Sequence, residues 1–240
     1  MTTLNHNSHG NRLSRFRFLL CLVALLGATV CAAQTIRPVL SEYAVTAKGR
    51  VELTNDSTVP LTVIVTPKSF EVSETGEISY GPMSAEIHLK LSAMSFRIAP
   101  KQSYYVFYEA KADKLPAWFV MYFEFSGFPV RDHSGLNMQV DLPHTVYLLP
   151  RQSFKREDLE VSAKFDGASK KVIVTAFNKG TTVGRVLTTE AQGHGQKVQG
   201  VGFPIYPGKK RITELPWERD TAPEKVILNL DGFKVERAVE

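Results

Sequence analysis

Short runs of aromatic and β-branched residues, separated by turn residues, fill most of this chain and constrain its fold more than any other feature. Val59–Thr66, Tyr104–Tyr108 and Phe119–Phe125 have the composition of pleated, half-buried strands, and Phe119–Phe125 reads as a buried central one. Asn55-Asp56-Ser57 and Ser73–Gly76 have the composition of turns. Because no stretch combines sustained helical periodicity with capping residues, the sequence predicts an all-β protein.

Two segments of the first half are echoed in the second half. Val51–Asn55 and Val172–Asn178 both read as strands that end at an asparagine-led turn. Phe96–Lys101 and Phe203–Lys209 share a Phe-x-Ile-x-Pro strand end that runs into a basic turn. The interval between the two segments is longer in the first half, which indicates an added hairpin around Ser73–Lys90. The echoes therefore predict a duplicated architecture.

Two all-β units of roughly 115 and 90 residues match the size of immunoglobulin-like sandwiches. We expect two immunoglobulin-like β-sandwich domains set at an angle, comprising residues 34–150 and 151–240. The join should lie near Pro150-Arg151-Gln152. Because such a connection is short, it would hold the two domains at a defined angle. A cleft would then form between them.

Residues 1–33 have the composition of a cleaved secretory signal peptide. Three arginines precede the apolar run Phe18–Val30, and the small residues Ala32-Ala33 follow it. The run is shorter than the roughly 20 residues that a transmembrane helix needs. We expect cleavage near Ala33–Gln34 and a soluble periplasmic protein without stable membrane insertion.

The composition of the mature chain excludes several functions. Both cysteines, Cys21 and Cys31, lie in the signal segment, so cysteine catalysis and cysteine zinc sites are ruled out. Removing three of the 29 basic residues leaves 26 against 24 acidic ones, a net charge of +2. That charge gives no reason to expect nucleic acid as a partner. The basic run Lys209-Lys210-Arg211 is interpreted as a solvated turn.

The sequence contains no pattern typical of an enzyme. It has no Gly-x-Ser-x-Gly motif, phosphate loop or dinucleotide fingerprint. The histidines of the mature chain lack metal-ligand spacing; they are His88, His133, His144 and His194. We therefore expect a protein without enzymatic activity, cofactor or metal.

One strand alternates strictly between apolar and polar residues. Leu136–Leu142 reads Leu-Asn-Met-Gln-Val-Asp-Leu, so Leu136, Met138, Val140 and Leu142 form one apolar stripe. Pro143 follows and cannot donate to a strand ladder, which favours an edge position. An exposed apolar edge needs a cover or a partner.

This layout resembles the PapD-like periplasmic chaperones of chaperone–usher pilus assembly, as a divergent member. Three segments carry the resemblance: Val51–Asn55 with Pro60, Phe96–Pro100 with the strand Tyr104–Tyr108, and Leu136–Pro150. In that family, a strand of alternating hydrophobic residues ends the first domain and leads into the linker.

The resemblance implies β-augmentation, in which the chaperone lends a strand to a pilus subunit that lacks one. Leu136, Met138, Val140 and Leu142 would then bind the subunit. The implied partners are pilus or fimbrial subunits and an outer-membrane usher. A homodimer that covers the free edge is a further expectation.

The resemblance also implies two basic residues that anchor the C-terminal carboxylate of the subunit in the cleft, and this chain lacks them at the family's positions. The resemblance implies an arginine early in the first strand and a lysine shortly before the linker. Here the first strand, Val39–Thr46, has no arginine, and the lysine position falls on Thr145 or His144. An anchor rebuilt from basic residues nearby remains open; the candidates are Arg37, His144, Arg151 and Lys155.

Two other functions remain open. The chain is alternatively a structural or adhesive two-domain sandwich whose alternating strand packs in its own core. A weaker interpretation is a carbohydrate-binding module that uses Trp118 or Trp217, although core or edge packing is the more common role of such residues.

Overall fold

The computed structural model describes residues 34–127 and 138–240, so the segment predicted as a signal peptide lies outside the described residues. Ten strands precede residue 150. They are β1 (Thr35–Arg37), β2 (Leu40–Ala44), β3 (Thr46–Thr54), β4 (Leu61–Val72), β5 (Ile78–Pro82), β6 (Ile87–Leu91), β7 (Ser95–Ile98), β8 (Ser103–Ala112), β9 (Ala117–Ser126) and β10 (Val140–Leu149). We call this part the first lobe.

Seven strands follow a single 3-10 turn at Arg156–Asp158 and form what we call the second lobe. They are β11 (Leu159–Asp166), β12 (Lys171–Asn178), β13 (Gly184–Gly193), β14 (Gln196–Ile205), β15 (Lys210–Pro216), β16 (Lys225–Leu230) and β17 (Phe233–Ala238). The described residues contain no α-helix, which agrees with the all-β prediction.

Each lobe consists of two sheets packed face to face. In the first lobe the strand orders are β1-β3-β8-β6 and β2-β10-β9-β4-β5, with β7 paired to β4. In the second lobe they are β11-β12-β15 and β14-β13-β16-β17. No strand pairing between described residues crosses residue 150. The prediction of two immunoglobulin-like sandwiches is confirmed, whereas the boundary of two separately folding domains stays a prediction.

Alternation of side chains along the strands builds the two cores. In β9, Phe119, Met121, Phe123 and Phe125 point inward and are fully buried, as expected for the central strand of its sheet. The second core centres on Trp217, which is also fully buried. The added hairpin of the first lobe is present as β4 and β5, joined by the turn at Ser73–Gly76.

The sequence echoes correspond to one structural motif that occurs in both lobes. The buried Asn55 side chain donates to the carbonyl oxygens of Val59, Ile98 and Ala99, and its backbone pairs with Lys101 and Gln102. The buried Asn178 side chain donates to Thr182 and Ile205, and its backbone pairs with Gly208 and Lys209. In each lobe an asparagine thus ties one strand end to the turn after the Phe-x-Ile-x-Pro segment.

Candidate functional site

The candidate site is the first half of β10, where one edge of the strand has no partner strand among the described residues. On one side, β10 pairs antiparallel with β9 from Val140 to Leu148. On the other side, β2 pairs in parallel only from Thr145 to Leu149. The segment Val140–His144 is therefore hydrogen-bonded as a strand on one side alone.

The direction of the backbone groups follows from the pairing that is present. The Thr145 N–H donates to the Val39 carbonyl oxygen on the β2 side, at 2.9 Å. Because successive residues of a strand alternate in direction, the N–H and C=O of Asp141 and the C=O of Pro143 point to that same side. Pro143 has no N–H there, so it sits in β10 without breaking a ladder bond.

The side chains of the predicted apolar stripe differ in their exposure to solvent. Met138 is 56% exposed, whereas Val140 and Leu142 are half-buried and pack against the core of the first lobe. Leu136 lies outside the described residues. On the other face, Gln139 donates a 2.8 Å hydrogen bond to the Asp141 carboxylate. Whether these four apolar residues bind a subunit stays a prediction.

Among the four anchor candidates, His144 is distinct because it is fully buried. Its Nδ1 lies 2.7 Å from the Pro38 carbonyl oxygen and its Nε2 lies 3.0 Å from the Tyr108 hydroxyl. Burial lowers the pKa of His144 from 6.5 to about 4. At neutral pH the imidazole is therefore uncharged, and it offers no cation to a carboxylate.

The other three anchor candidates, Arg37, Arg151 and Lys155, are exposed. Arg37 ends β1, opposite Glu52 of β3. Arg151 follows β10 directly, and the Lys155 backbone N–H donates to Asp158 in the 3-10 turn. The described residues show no ion pair for any of these three side chains. The three stand on separate elements, and their role as an anchor stays a prediction.

The two lobes touch through aromatic residues on the outer face of β9 and β10. The Tyr147 hydroxyl is 2.9 Å from that of Tyr206, and the Trp118 ring centroid is 4.5 Å from the Tyr206 ring. Arg185 lies over the Tyr147 ring and forms an ion pair with Glu42. Except for Trp118, these residues were not singled out from sequence, because their partners are more than 30 residues away along the chain.

Both tryptophans are used in packing. Trp217 is fully buried and its indole N–H donates to the Thr221 carbonyl oxygen. Trp118 is half-buried, and its N–H donates to Phe70. A sugar platform needs an exposed ring face, so the carbohydrate-binding interpretation based on Trp217 is wrong. The Trp118 ring packs against the Tyr206 ring, and its N–H is used in the hydrogen bond to the Phe70 carbonyl oxygen.

Two further absences apply to the described residues alone. No helix there is long and apolar enough to cross a membrane. Likewise, residues 34–127 and 138–240 contain no cluster of three or more His, Cys, Asp or Glu side chains suited to a metal ion.

Comparison with known proteins gives structural matches and no sequence matches. No family model and no curated protein matches the sequence. The class 5 fimbriae chaperone CfaA is 14% identical, with 87% of this chain and 99% of that chain covered and a TM-score of 0.56. The YadV chaperone is 11% identical, with 85% of this chain and 97% of that chain covered and a TM-score of 0.57.

A third match is the CsuC–CsuE complex of chaperone and tip adhesion subunit from the archaic Csu pili of Acinetobacter baumannii. It is 13% identical, covers 87% of this chain and 98% of that chain, and has a TM-score of 0.51. Identities this low establish the fold and leave the activity open. The chain therefore has the two-sandwich fold of these fimbrial chaperones, at a sequence identity of 11–14%.

Proposed function

We propose that this protein is a periplasmic chaperone that binds pilus or fimbrial subunits through the free edge of β10 and delivers them to an outer-membrane usher. The observation that carries the proposal is the edge at Val140–His144, which has backbone groups available and an exposed apolar residue beside it. The fold shared with fimbrial chaperones supports the same conclusion. No enzymatic step is part of the proposal.

The mechanism is strand addition to the open side of β10. A guest strand pairs with the outward N–H of Asp141 and the outward carbonyls of Asp141 and Pro143. Met138 enters the groove of the guest, and its burial contributes roughly 1.5–3 kcal/mol before the cost of association is subtracted. The guest strand ends or turns at Thr145, because β2 occupies the edge from there onward.

The predicted signal segment fits this role, since it would place the protein in the compartment through which subunits pass. Tandem mass spectrometry of the mature protein from a periplasmic extract tests the segment. We expect an N-terminus at Gln34, and an unprocessed cytoplasmic protein would contradict the localisation.

The decisive experiment adds one negative charge at either of the two neighbouring residues that precede β10. Met138→Glu should weaken binding of a pilus subunit that forms a complex with the wild-type protein by about 100-fold or more, because a charge would enter an apolar groove. Gln139→Glu is the control for charge alone: it adds the same charge on the polar side, loses only the exposed hydrogen bond to Asp141, and should bind within about threefold of wild type. Met138 is exposed, so folding is preserved. Wild-type affinity in Met138→Glu would refute strand lending.

A structural or adhesive sandwich is the second candidate function, and the packing of Val140 and Leu142 in their own core favours it. Hydrogen exchange of the Asp141 amide separates the two. Strand lending requires fast exchange in the free protein, whereas a strand that is complete at home protects this amide. Protection that appears only at high protein concentration would indicate the self-capping homodimer.

A further inference from the structure

The turn between β4 and β5 reaches from the first lobe to the second lobe, and we call its residues Ser73–Glu77 the strap. Hydrogen bonds within the strap hold its shape. The Ser73 N–H donates to the Glu77 carbonyl oxygen, and the Gly76 N–H donates to the Ser73 carbonyl oxygen. The Ser73 hydroxyl accepts from the Glu77 N–H. Because these bonds are internal, the strap can move relative to the second lobe without losing its own structure.

A main-chain hydrogen bond attaches the strap to β15, which is an edge strand of the sheet β11-β12-β15. The Ile212 N–H donates to the Glu74 carbonyl oxygen at 2.7 Å. Since successive residues of a strand alternate in direction, the N–H groups of Arg211 and Thr213 point to β12, and that of Ile212 points away from it. The bond to the strap therefore lies outside the β12 ladder, and it can break while the sheet stays intact.

The Arg211 side chain lies under the strap. A side chain added at Gly76 would overlap the guanidinium, so the strap lies directly against it. On the other side, the carbon of the guanidinium is 5.5 Å from the centroid of the Phe203 ring. Nε and Nη1 are buried and have no hydrogen-bond partner among the described residues. This corrects the interpretation of Arg211 as part of a solvated turn; Lys209 and Lys210 are exposed as expected.

Closure of the strap makes opposing contributions to the free energy. It forms the hydrogen bond between Ile212 and Glu74, which is favourable. It also keeps water from the Arg211 donors, which belong to a charged group even though burial lowers the pKa of the guanidinium. Buried donors that are left unmade cost about as much as one backbone hydrogen bond contributes, or more. Opening the strap would hydrate the guanidinium, so the closed position is held only weakly.

We propose that the strap is a detachable latch between the lobes, which opens and closes while both sandwiches stay folded. The latch acts on a cavity of about 310 Å³ between the lobes. Gly76 of the strap and Arg211 line this cavity together with Pro143 and Thr145 of β10. The closed strap is thus one wall of the space beside the free edge of β10, and the open strap widens the access to that edge. This motion belongs to the free protein, so it does not depend on the proposed function.

Amide hydrogen exchange measured by NMR tests the latch, because the Ile212 N–H is protected only while the strap is closed. Two neighbours on β15 are internal references. The Thr213 N–H lies in the β12 ladder, and the Glu214 N–H points outward without a backbone acceptor among the described residues. In the wild type we expect the protection factor of Ile212 to be about tenfold or more below that of Thr213, and above that of Glu214.

Two variants should move the latch in opposite directions. Arg211→Met removes the buried donors and keeps an apolar side chain, so the protection factor of Ile212 should rise about tenfold. Gly76→Val places a side chain against the guanidinium, so this factor should fall to that of the outward reference amide. Gly195→Val is the matched control. Its φ of +73° is close to the +95° of Gly76, but nothing lies within 4 Å of the added Cβ, so Ile212 should behave as in the wild type.

Distances between spin labels give a second measurement. The sequence has no cysteine after Cys31, so the exposed pair Thr75→Cys and Lys209→Cys supplies one label on the strap and one on the second lobe. The distance distribution should be narrow when Arg211→Met is added to this pair. It should be broad and extend to longer distances when Gly76→Val is added instead.

Three results would overturn the latch. The first is equal protection of Ile212 and Thr213 in the wild type, which would mean that the strap does not open separately from the sheet. The second is an Arg211→Met variant in which the protection of Ile212 is unchanged or lower. The third is an equal effect of Gly76→Val and Gly195→Val, which would assign the effect to backbone strain alone. Strand lending is tested separately by Met138→Glu.

Discussion

The stability of the first lobe should depend on the protonation of His144, which joins the free and the paired halves of β10. The Pro38 carbonyl can only accept, so Nδ1 carries the proton and donates to it. Nε2 then accepts from the Tyr108 hydroxyl, which in turn accepts from the Tyr43 hydroxyl at 2.9 Å. Every polar atom of the neutral ring is therefore satisfied, and a second proton would place a charge in the core.

The size of the effect follows from the pKa difference between the folded and unfolded chain. Burial lowers the pKa of His144 from 6.5 to about 4, so the folded state binds fewer protons. The stabilisation is complete above pH 6.5 and is lost progressively as the pH falls toward 4. Between pH 7.5 and 5.0 the loss amounts to about 2 kcal/mol, and it approaches about 3 kcal/mol below pH 4.

Urea unfolding followed by circular dichroism at pH 7.5 and 5.0 measures this loss. His144→Gln is the matched control, because its side chain is neutral at both pH values and all other titrating groups are unchanged. We expect the wild-type free energy of unfolding to fall by about 2 kcal/mol more than that of the variant. Equal pH dependence of the two proteins would refute the reasoning, as would an NMR titration that places the His144 pKa above 6.

Two further predictions concern the asparagine motif shared by the lobes. Asn55→Ala should lower the free energy of unfolding by about 3 kcal/mol, since the buried carbonyls it serves lose their donor, and Asn178→Ala should cost about the same. A loss below about 1 kcal/mol in urea unfolding would contradict the role of the motif. Lys101 has a φ of +60° where its counterpart Gly208 has +67°, so Lys101→Gly should stabilise the protein by up to about 1 kcal/mol. A lower thermal midpoint for Lys101→Gly would count against that equivalence.

Local sequence patterns predicted much of the fold because strand formation and turn chemistry are local properties. Aromatic and β-branched composition predicted β9, and the asparagine-led turns predicted the repeated motif at Asn55 and Asn178. Alternation predicted a strand over Leu136–Leu142, whereas β10 begins at Val140 and continues through Pro143 to Leu149. The length of the first interval predicted the β4–β5 hairpin. The apolar stripe ending at Pro143 likewise predicted an edge, and β10 has a free edge at that residue.

The chemistry of the candidate site could not be predicted in the same way. His144 was considered as a cation from its place in the chain, yet Pro38 and Tyr108 surround it and keep it neutral. Arg211 was assigned to solvent with its lysine neighbours, although Gly76, more than 130 residues earlier, packs against its guanidinium, whose Nε and Nη1 atoms are buried. Charge state and burial depend on which distant segments pack together, and these contacts cannot be predicted from the sequence of one strand.

The amino-acid sequence alone was enough to predict the class of fold, the two-sandwich layout and an apolar stripe that ends beside Pro143, because periodicity, turn residues and a proline act over a few residues. The tertiary structure alone decided where β2 stops covering β10, how deeply Val140 and Leu142 enter the core, and which cation faces the cavity between the lobes. These features arise from contacts between segments far apart in the chain, and burial and hydrogen bonding are fixed only when those segments meet.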